Sequence, residues 1–154
     1  MYALRLRTVR ALAGQVTLLL IVSSGVARGQ AVGVRAGVSG DPDQFYVGAH
    51  YETTPFADHL TFRPNLEVGV GSDVTLVAGN LEFAYHIPLK HQPWTLYAGG
   101  GPAFNIFHVA GDTSTEGGFN ILVGVEHQQG VFFELKFGAF DSPTVKLGVG
   151  YSFR

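Results

Sequence analysis

The sequence predicts an all-β fold, an eight-stranded antiparallel up-and-down transmembrane β-barrel. Apolar and polar residues alternate with period 2 over eight segments after residue 30, which is typical of strands with one apolar and one polar face. Most segments approach the ~9–11 residues that a tilted strand needs to cross a bilayer. Charged residues make up only 14% of the chain, whereas soluble domains contain about 25%.

Residues 1–29 predict a cleaved signal peptide, which leaves residues 30–154 as one barrel domain. Three arginines in the first ten residues precede an apolar run and then small residues, the arrangement that export and cleavage require. Cleavage before Gln30 fits this pattern, and the alternatives are cleavage after Ala31 or an uncleaved transmembrane helix. The chain contains no cysteine, so the sequence offers no lipoprotein anchor, disulfide or reactive thiol.

The predicted mature domain is acidic. Without residues 1–29 it has six Lys and Arg against twelve Asp and Glu, a formal charge of −6. Nucleic-acid binding depends on a basic surface, so nucleic acid is not an expected partner.

Eight strands are predicted in chain order, each bounded by turn-forming residues. They are Ala31–Ser39, Gln44–Glu52, Leu60–Gly71, Val74–Leu89, Trp94–His108, Gly117–His127, Val131–Phe140 and Val145–Phe153. The first two read AVGVRAGVS and QFYVGAHYE, and the sequence GDPD between them is rich in turn-forming residues. In the third, leucine, phenylalanine and valine alternate with threonine, arginine, asparagine and glutamate.

The later strands keep the same alternation, with two irregularities. The fourth changes phase near Val77, and beyond that point its apolar face runs from Leu81 to Ile87. The fifth to the eighth place aromatic and aliphatic residues opposite glycine, asparagine and charged residues. Pro64 and Pro102 lie inside strands and have no N–H to donate to the sheet, so a β-bulge is expected at each.

Alternation alone does not say which face points inward. A soluble barrel, such as a periplasmic lipocalin-like barrel that binds an apolar ligand, turns its apolar face inward, and a membrane barrel turns it towards lipid. Three features favour the membrane. Glycine is frequent on the polar face, which suits the narrow lumen of eight strands. The charges on that face nearly cancel, and aromatic residues lie near the strand ends, as in interfacial girdles.

Eight charged residues on the polar face are candidates for an ion network inside the barrel. They are Arg35, Arg63, Glu67, Glu82, Glu126, Glu134, Lys136 and Lys146. Charges enclosed in a lumen must be paired, because an unpaired buried charge costs several kcal/mol.

If both ends of the domain lie in the periplasm, the aromatic residues fall near the two membrane borders and most acidic loop residues fall on the outer side. This orientation places Tyr51, Trp94, Tyr151 and Phe153 at the periplasmic border, and Phe45, Phe104 and Phe119 towards the other border. It places Asp41, Asp43, Asp73, Asp112, Glu116 and Asp141 in outer loops. An acidic rim of this kind either holds divalent cations against lipopolysaccharide phosphates or is simply solvated, as loops usually are.

The last strand carries a motif that resembles the assembly signal of bacterial outer-membrane β-barrels. That signal reads polar, any, Gly, any, any, aromatic or apolar, any, aromatic, and its four defined places are filled by Lys146, Gly148, Tyr151 and Phe153. The family usually ends on the aromatic residue, whereas Arg154 follows here. With the export signal and the eight strands, the chain resembles the small outer-membrane barrels of the OmpA-domain and OmpX type.

This resemblance implies a monomeric outer-membrane protein with a structural or envelope-interaction role. Its partners would be outer-membrane lipid, lipopolysaccharide and the barrel assembly machinery, and no cofactor is implied. In that family the lumen is plugged by a polar network, and the eight charged residues are this chain's candidates for it. The predicted outer loops are brief, at Gly40–Asp43, Ser72–Asp73, Val109–Glu116 and Asp141–Pro143, which argues against the adhesive role of barrels with long protruding loops.

Enzyme and metal functions find little support in the sequence. A lipid A deacylase needs a serine activated by a histidine. The deacylases that resemble this barrel carry these two residues two positions apart as a family signature, and no histidine here is followed by serine at that spacing. His108, Asp112 and Ser114 near one predicted loop leave a lipid A palmitoyltransferase as a further alternative. The six histidines are scattered without ligand spacing, so neither catalytic residues nor a metal site is predicted.

Overall fold

Eight strands form a closed antiparallel barrel in the computed structural model, which describes residues 29–154. The strands are β1 (Ala31–Gly40), β2 (Gln44–Glu52), β3 (Leu60–Val70), β4 (Val74–Pro88), β5 (Trp94–Val109), β6 (Asp112–His127), β7 (Val131–Phe140) and β8 (Val145–Phe153). Each strand pairs with the next, and β8 closes the barrel against β1. This confirms the predicted eight-stranded up-and-down barrel, whereas the predicted signal peptide lies outside the described residues apart from Gly29. Within residues 29–154, no helix is long and apolar enough to cross a bilayer.

The two ends of the barrel are defined by their connections. The near end holds the start of β1 and the end of β8, and its connections are residues 53–59, 89–93 and 128–130. The far end has shorter connections at residues 41–43, 71–73, 110–111 and 141–144.

Successive side chains point alternately to the inner and the outer face of the wall. In β7 the side chains of Phe132, Glu134 and Lys136 are buried in the interior, and those of Phe133 and Phe137 are exposed on the outside. Every strand presents large apolar side chains outward in the same way. The interior consists mainly of charged and polar residues. The apolar face therefore points away from the barrel axis, opposite to that of a soluble ligand-binding barrel.

The predicted change of phase in β4 is wrong. Leu76, Ala78 and Asn80 are all buried, and the residues between them lie on the outer face. Since β4 pairs with β3 in one unbroken register, no extra residue is present to exchange the two faces. Leu76 is thus an apolar residue at an inward position, and its hydropathy suggested the wrong face.

The bulges expected at Pro64 and Pro102 do not form in the described strands. The registers of β3 on β4 and of β5 on β6 pass through the two prolines without an extra residue. The strand pairing is instead interrupted on the opposite side of each proline, which faces β2 at Pro64 and β4 at Pro102. Pairing of β2 with β3 stops one residue before Pro64, and pairing of β4 with β5 skips Leu81 and Glu82, which lie opposite Pro102 and Gly101. The missing N–H removes a hydrogen bond but leaves the register unchanged.

The loop predicted at Val109–Glu116 is wrong, because most of its residues are strand. β5 runs to Val109 and β6 begins at Asp112, and the two strands pair up to the Ala110-Gly111 turn. Both turn residues have positive φ, 51° and 92°, as in the two-residue turns that close tight hairpins. Within the described chain β7 pairs with β6 only up to Gly118. Residues 112–117 therefore form the edge of a hairpin that extends beyond β7.

Candidate functional site in the barrel lumen

The eight predicted network residues all lie in the barrel interior. They are Arg35 on β1, Arg63 and Glu67 on β3, Glu82 on β4, Glu126 on β6, Glu134 and Lys136 on β7, and Lys146 on β8, and all are buried. Each occupies an inward position of its strand. The closed wall thereby brings side chains that are distant in sequence into one narrow space.

Lys136 lies at the centre of the ion pairs. Its Nζ atom is 2.8 Å from Glu82 Oε1, 3.1 Å from Glu67 Oε1 and 3.5 Å from Glu134 Oε1. Lys146 provides a second ammonium to Glu67, with 2.7 Å between Nζ and Oε2. A buried ammonium needs such compensation, because desolvation of an isolated charge costs several kcal/mol.

Two arginines extend the network around Glu134. Arg35 Nη1 donates to Glu134 Oε1 at 2.8 Å and lies 3.3 Å from Glu67 Oε1. Arg63 Nη1 lies 3.5 Å from Glu134 Oε2, and the hydroxyl of Tyr97 donates to that oxygen at 2.9 Å. The Glu134 carboxylate therefore lies close to three cations, which are the two arginines and the lysine two residues further along β7.

The network continues at the near end through Glu52 and Arg154, which were not among the predicted residues. Arg63 Nε lies 2.9 Å from Glu52 Oε2. Arg154 Nη2 lies 3.6 Å from Glu52 Oε1 and 2.9 Å from Glu126 Oε2. Glu126 is thus connected to the other seven predicted residues through Arg154 and Glu52. With these additions, five cations and five carboxylates form one connected set.

Three asparagines and Glu82 form a ring of hydrogen bonds beside the ions. Asn120 Nδ2 donates to Asn80 Oδ1 at 2.8 Å, and Asn80 Nδ2 donates to Asn65 Oδ1 at 2.7 Å. The ring closes on Glu82, which accepts from Asn65 Nδ2 at 2.7 Å and from Asn120 Nδ2 at 3.3 Å. These bonds hold the Glu82 carboxylate in place for Lys136. Asparagines on the polar face of the predicted strands were the only sequence signal for this ring.

Aromatic rings line the interior next to the arginines. Arg63 Cζ lies 4.6 Å from the ring centroid of Tyr97 and 5.4 Å from that of Phe132. Arg35 Cζ lies 5.5 Å from the centroid of Phe132. A desolvated guanidinium over an aromatic face gains about 2 kcal/mol. The position of Phe132, an apolar residue among charges, is therefore favourable for both arginines.

The residues considered for a lipid A enzyme do not come together. His108 lies opposite Thr113 in the β5–β6 hairpin, and His108 Nδ1 is 3.0 Å from Thr113 Oγ1. Asp112 and Ser114 are the neighbours of Thr113 along β6, so they point to the other face of the hairpin. Within residues 29–154, no group of three or more His, Asp or Glu side chains is arranged to hold a metal ion.

The four residues of the predicted assembly signal have distinct places in β8. Lys146 and Gly148 point inward, and a side chain at position 148 would collide with the Tyr46 hydroxyl. Tyr151 and Phe153 lie on the outside at the near end, with ring centroids 4.9 Å apart. These contacts explain the residue types in the folded barrel, and recognition by the assembly machinery stays a prediction.

Comparisons with known proteins identify the class of fold. No protein-family model and no curated protein matches the sequence. The N-terminal β-barrel domain of OprF from Pseudomonas aeruginosa superposes with a TM-score of 0.59 at 12% sequence identity, covering 80% of this chain and 96% of that one. Neisserial surface protein A (NspA) superposes with a TM-score of 0.56 at 18% identity, covering 80% of this chain and 93% of that one.

The fold is therefore that of the small eight-stranded outer-membrane β-barrels, which confirms the class that the last strand and the alternation indicated. At these identities the likeness concerns the fold. The charges of the lumen and the function are argued from this chain's own residues.

Proposed function

We propose that this protein is an outer-membrane barrel with a structural role, and that its own ions plug the lumen so that it does not conduct. The observation that carries the proposal is the connected set of five cations and five carboxylates inside the wall. The proposal includes no catalytic activity.

The outer face of the wall supports the membrane location. Leu147 is 58% exposed and Val149 is 45% exposed, whereas Lys146 is buried. Apolar patches that cover a whole surface are unfavourable in water and favourable in lipid. Exposed aromatic residues at the near end, such as Tyr151 and Phe153, fit the interfacial girdle of a membrane barrel.

The geometry of the ion pairs supports the plug. The contact between Arg35 and Glu134 joins β1 to β7, and the contact between Lys146 and Glu67 joins β8 to β3 across the interior. An eight-stranded lumen is only wide enough to be filled by side chains. Opening a path would separate buried ion pairs, and each separated charge would cost several kcal/mol.

Lipid and lipopolysaccharide are the proposed surroundings, with lipopolysaccharide at the far end. Within the described part of the chain, the far-end connections and residues 112–117 of the β5–β6 hairpin carry acidic residues and no lysine or arginine. A purely acidic rim repels phosphate directly, so contact with lipopolysaccharide would require bridging divalent cations. Binding of the purified barrel to lipopolysaccharide should therefore increase with added magnesium and fall with a chelator, and an equal affinity in both conditions would contradict this part of the proposal.

Single-channel recording in planar bilayers tests the plug. The folded protein, identified by its shifted mobility on unboiled gels, should give no stable conductance steps. The double variant Arg35→Ala/Glu134→Ala removes one buried pair without changing the net charge, and it should give small steps. Steady conductance of the unmodified protein would contradict a plugged lumen.

A matched control uses the same two strands. Val34 and Phe133 are the outward neighbours of Arg35 and Glu134, so the double variant Val34→Ala/Phe133→Ala alters the wall but leaves the lumen intact. It should remain non-conducting. Membrane fractionation tests the location separately, because recovery of the exported protein in the soluble periplasm would contradict an outer-membrane role.

A further inference from the structure

The outward face of the barrel has an apolar groove around Pro64, here named the Pro64 groove. It is lined by Tyr51, Pro64, Leu66, Gly79, Leu81 and Phe104 and has a volume of about 430 Å³. Gly79 lies directly between Leu66 and Phe104 in the strand pairing. Both of these side chains are more than half exposed, so they form the walls of the groove and Gly79 forms its floor.

The carbonyl of Tyr51 lacks its donor at one side of this groove. The paired residues of β2 and β3 end at His50 and Asn65, but a bond from Thr53 N to Phe62 O, 3.0 Å long, keeps the same register beyond Pro64. In that register Tyr51 lies opposite Pro64 and directs its carbonyl towards β3, as Thr53 directs its N–H. Because proline has no N–H, the ladder of the described chain supplies no hydrogen bond to this carbonyl.

The position of Tyr51 suggests what could supply the missing donor. Tyr51 is the second-last residue of β2 at the near end, where the exposed rings of Tyr85, Tyr151 and Phe153 also lie. Such rings prefer the level of lipid headgroups. A carbonyl without a donor is costly next to hydrocarbon, and at this level a lipid headgroup can supply one.

We propose that the Pro64 groove binds one acyl chain of a phospholipid with an ethanolamine headgroup, whose ammonium group donates a hydrogen bond to the Tyr51 carbonyl. The apolar lining accepts the chain, and the Tyr51 carbonyl at the headgroup level selects a headgroup with N–H donors. An ammonium group has three such donors, whereas a choline headgroup has none. The proposal rests on the proposed membrane location.

Native mass spectrometry of the folded barrel tests the preference. The protein is mixed with equal amounts of phosphatidylethanolamine and phosphatidylcholine that carry identical acyl chains. Retention of the ethanolamine lipid should exceed that of the choline lipid roughly tenfold, the effect of one charge-assisted hydrogen bond. Equal retention of the two lipids, or retention of neither, would overturn the proposal.

Two variants distinguish the role of the Tyr51 carbonyl from that of the apolar groove. Pro64→Ala restores an N–H opposite Tyr51, so the ladder can bond this carbonyl and the preference for ethanolamine should disappear. Gly79→Val fills the floor of the groove, where an added Cβ meets nothing within 4 Å, and it should lower the retention of both lipids. An undiminished preference in Pro64→Ala would overturn the role of the carbonyl.

The control is Pro102→Ala, because Pro102 lies opposite Leu81 and leaves that groove carbonyl without a donor in the same way, but at the middle of β4, where a headgroup does not reach. Its preference should match that of the unmodified protein, and loss of preference in this variant would place the acceptor elsewhere and overturn the assignment to Tyr51. Insertion into vesicles of each lipid, followed by the unboiled gel shift, tests the membrane location on its own. A barrel that inserts into both lipids but shows no preference overturns only the lipid site, whereas failure to insert overturns the proposed function as well.

Discussion

The inner and outer faces of the barrel wall are built by the same strands, but they are stabilised in different ways. On the inner face each charged side chain has defined partners, as Glu134 has in Arg35 and Lys136. On the outer face apolar side chains such as Leu147 and Val149 are exposed and need only a hydrocarbon environment. The consequence of a substitution therefore depends on which face a residue occupies, even for neighbours in one strand.

The largest loss of stability is expected on the inner face. Glu134→Ala removes the carboxylate shared by Arg35, Arg63 and Lys136, and an uncompensated buried charge should lower the free energy of unfolding by about 3–5 kcal/mol. Urea titration of the barrel in lipid vesicles measures this change. Glu116→Ala on the protruding hairpin is the control and should change the free energy by less than about 0.5 kcal/mol. An unchanged urea midpoint for Glu134→Ala would argue against the ion network.

A charge on the outer face should have a smaller effect that depends on height along the barrel. Val149 lies midway along β8, so Val149→Arg should destabilise the protein by about 2–4 kcal/mol, as arginine does near the middle of a bilayer. Thr113→Arg places the same residue on the hairpin beyond the end of β7, where a loss of at most about 1 kcal/mol is expected. Equal losses for the two variants would mean that the outer face does not lie in lipid.

The smallest loss of stability is expected at the near end of the barrel. The side chain of Arg154 is 43% exposed, so solvent screens its contacts with Glu126 and Glu52. Arg154→Gln should lower the free energy of unfolding by about 1 kcal/mol. Arg154→Gln, Glu126→Gln and the double variant together form a double-mutant cycle, which the same urea titration measures. Fully additive losses would show that the two side chains do not interact.

Seven of the eight strands were predicted to within one residue. The predicted bounds of β2, β7 and β8 agree with the structure, and those of β1, β3, β4 and β5 differ by one residue at the C-terminal end. In most of these strands the alternation is unbroken, so the local pattern was enough to place them. β6 was predicted too short because residues 112–116 were interpreted as part of a polar loop, and their pairing with β5 is what makes them strand.

The candidate site was predictable to the extent that it follows from alternation. Period 2 places all eight predicted charges on the polar face, but it does not say which of them meet. Arg35 and Glu134 are 99 positions apart in the chain and are 2.8 Å apart in the structure. Glu52 and Arg154 lie at the near end, and no local pattern indicates that the barrel brings them to Arg63 and Glu126.

The number of strands and, in most of them, the side chains that share a face follow from the amino-acid sequence, because alternation is a local property that does not depend on the pairing partners. The register, the partners across the lumen and the inward position of Leu76 follow only from the folded barrel. These depend on the closure of β8 against β1, a long-range constraint that fixes every strand relative to all the others.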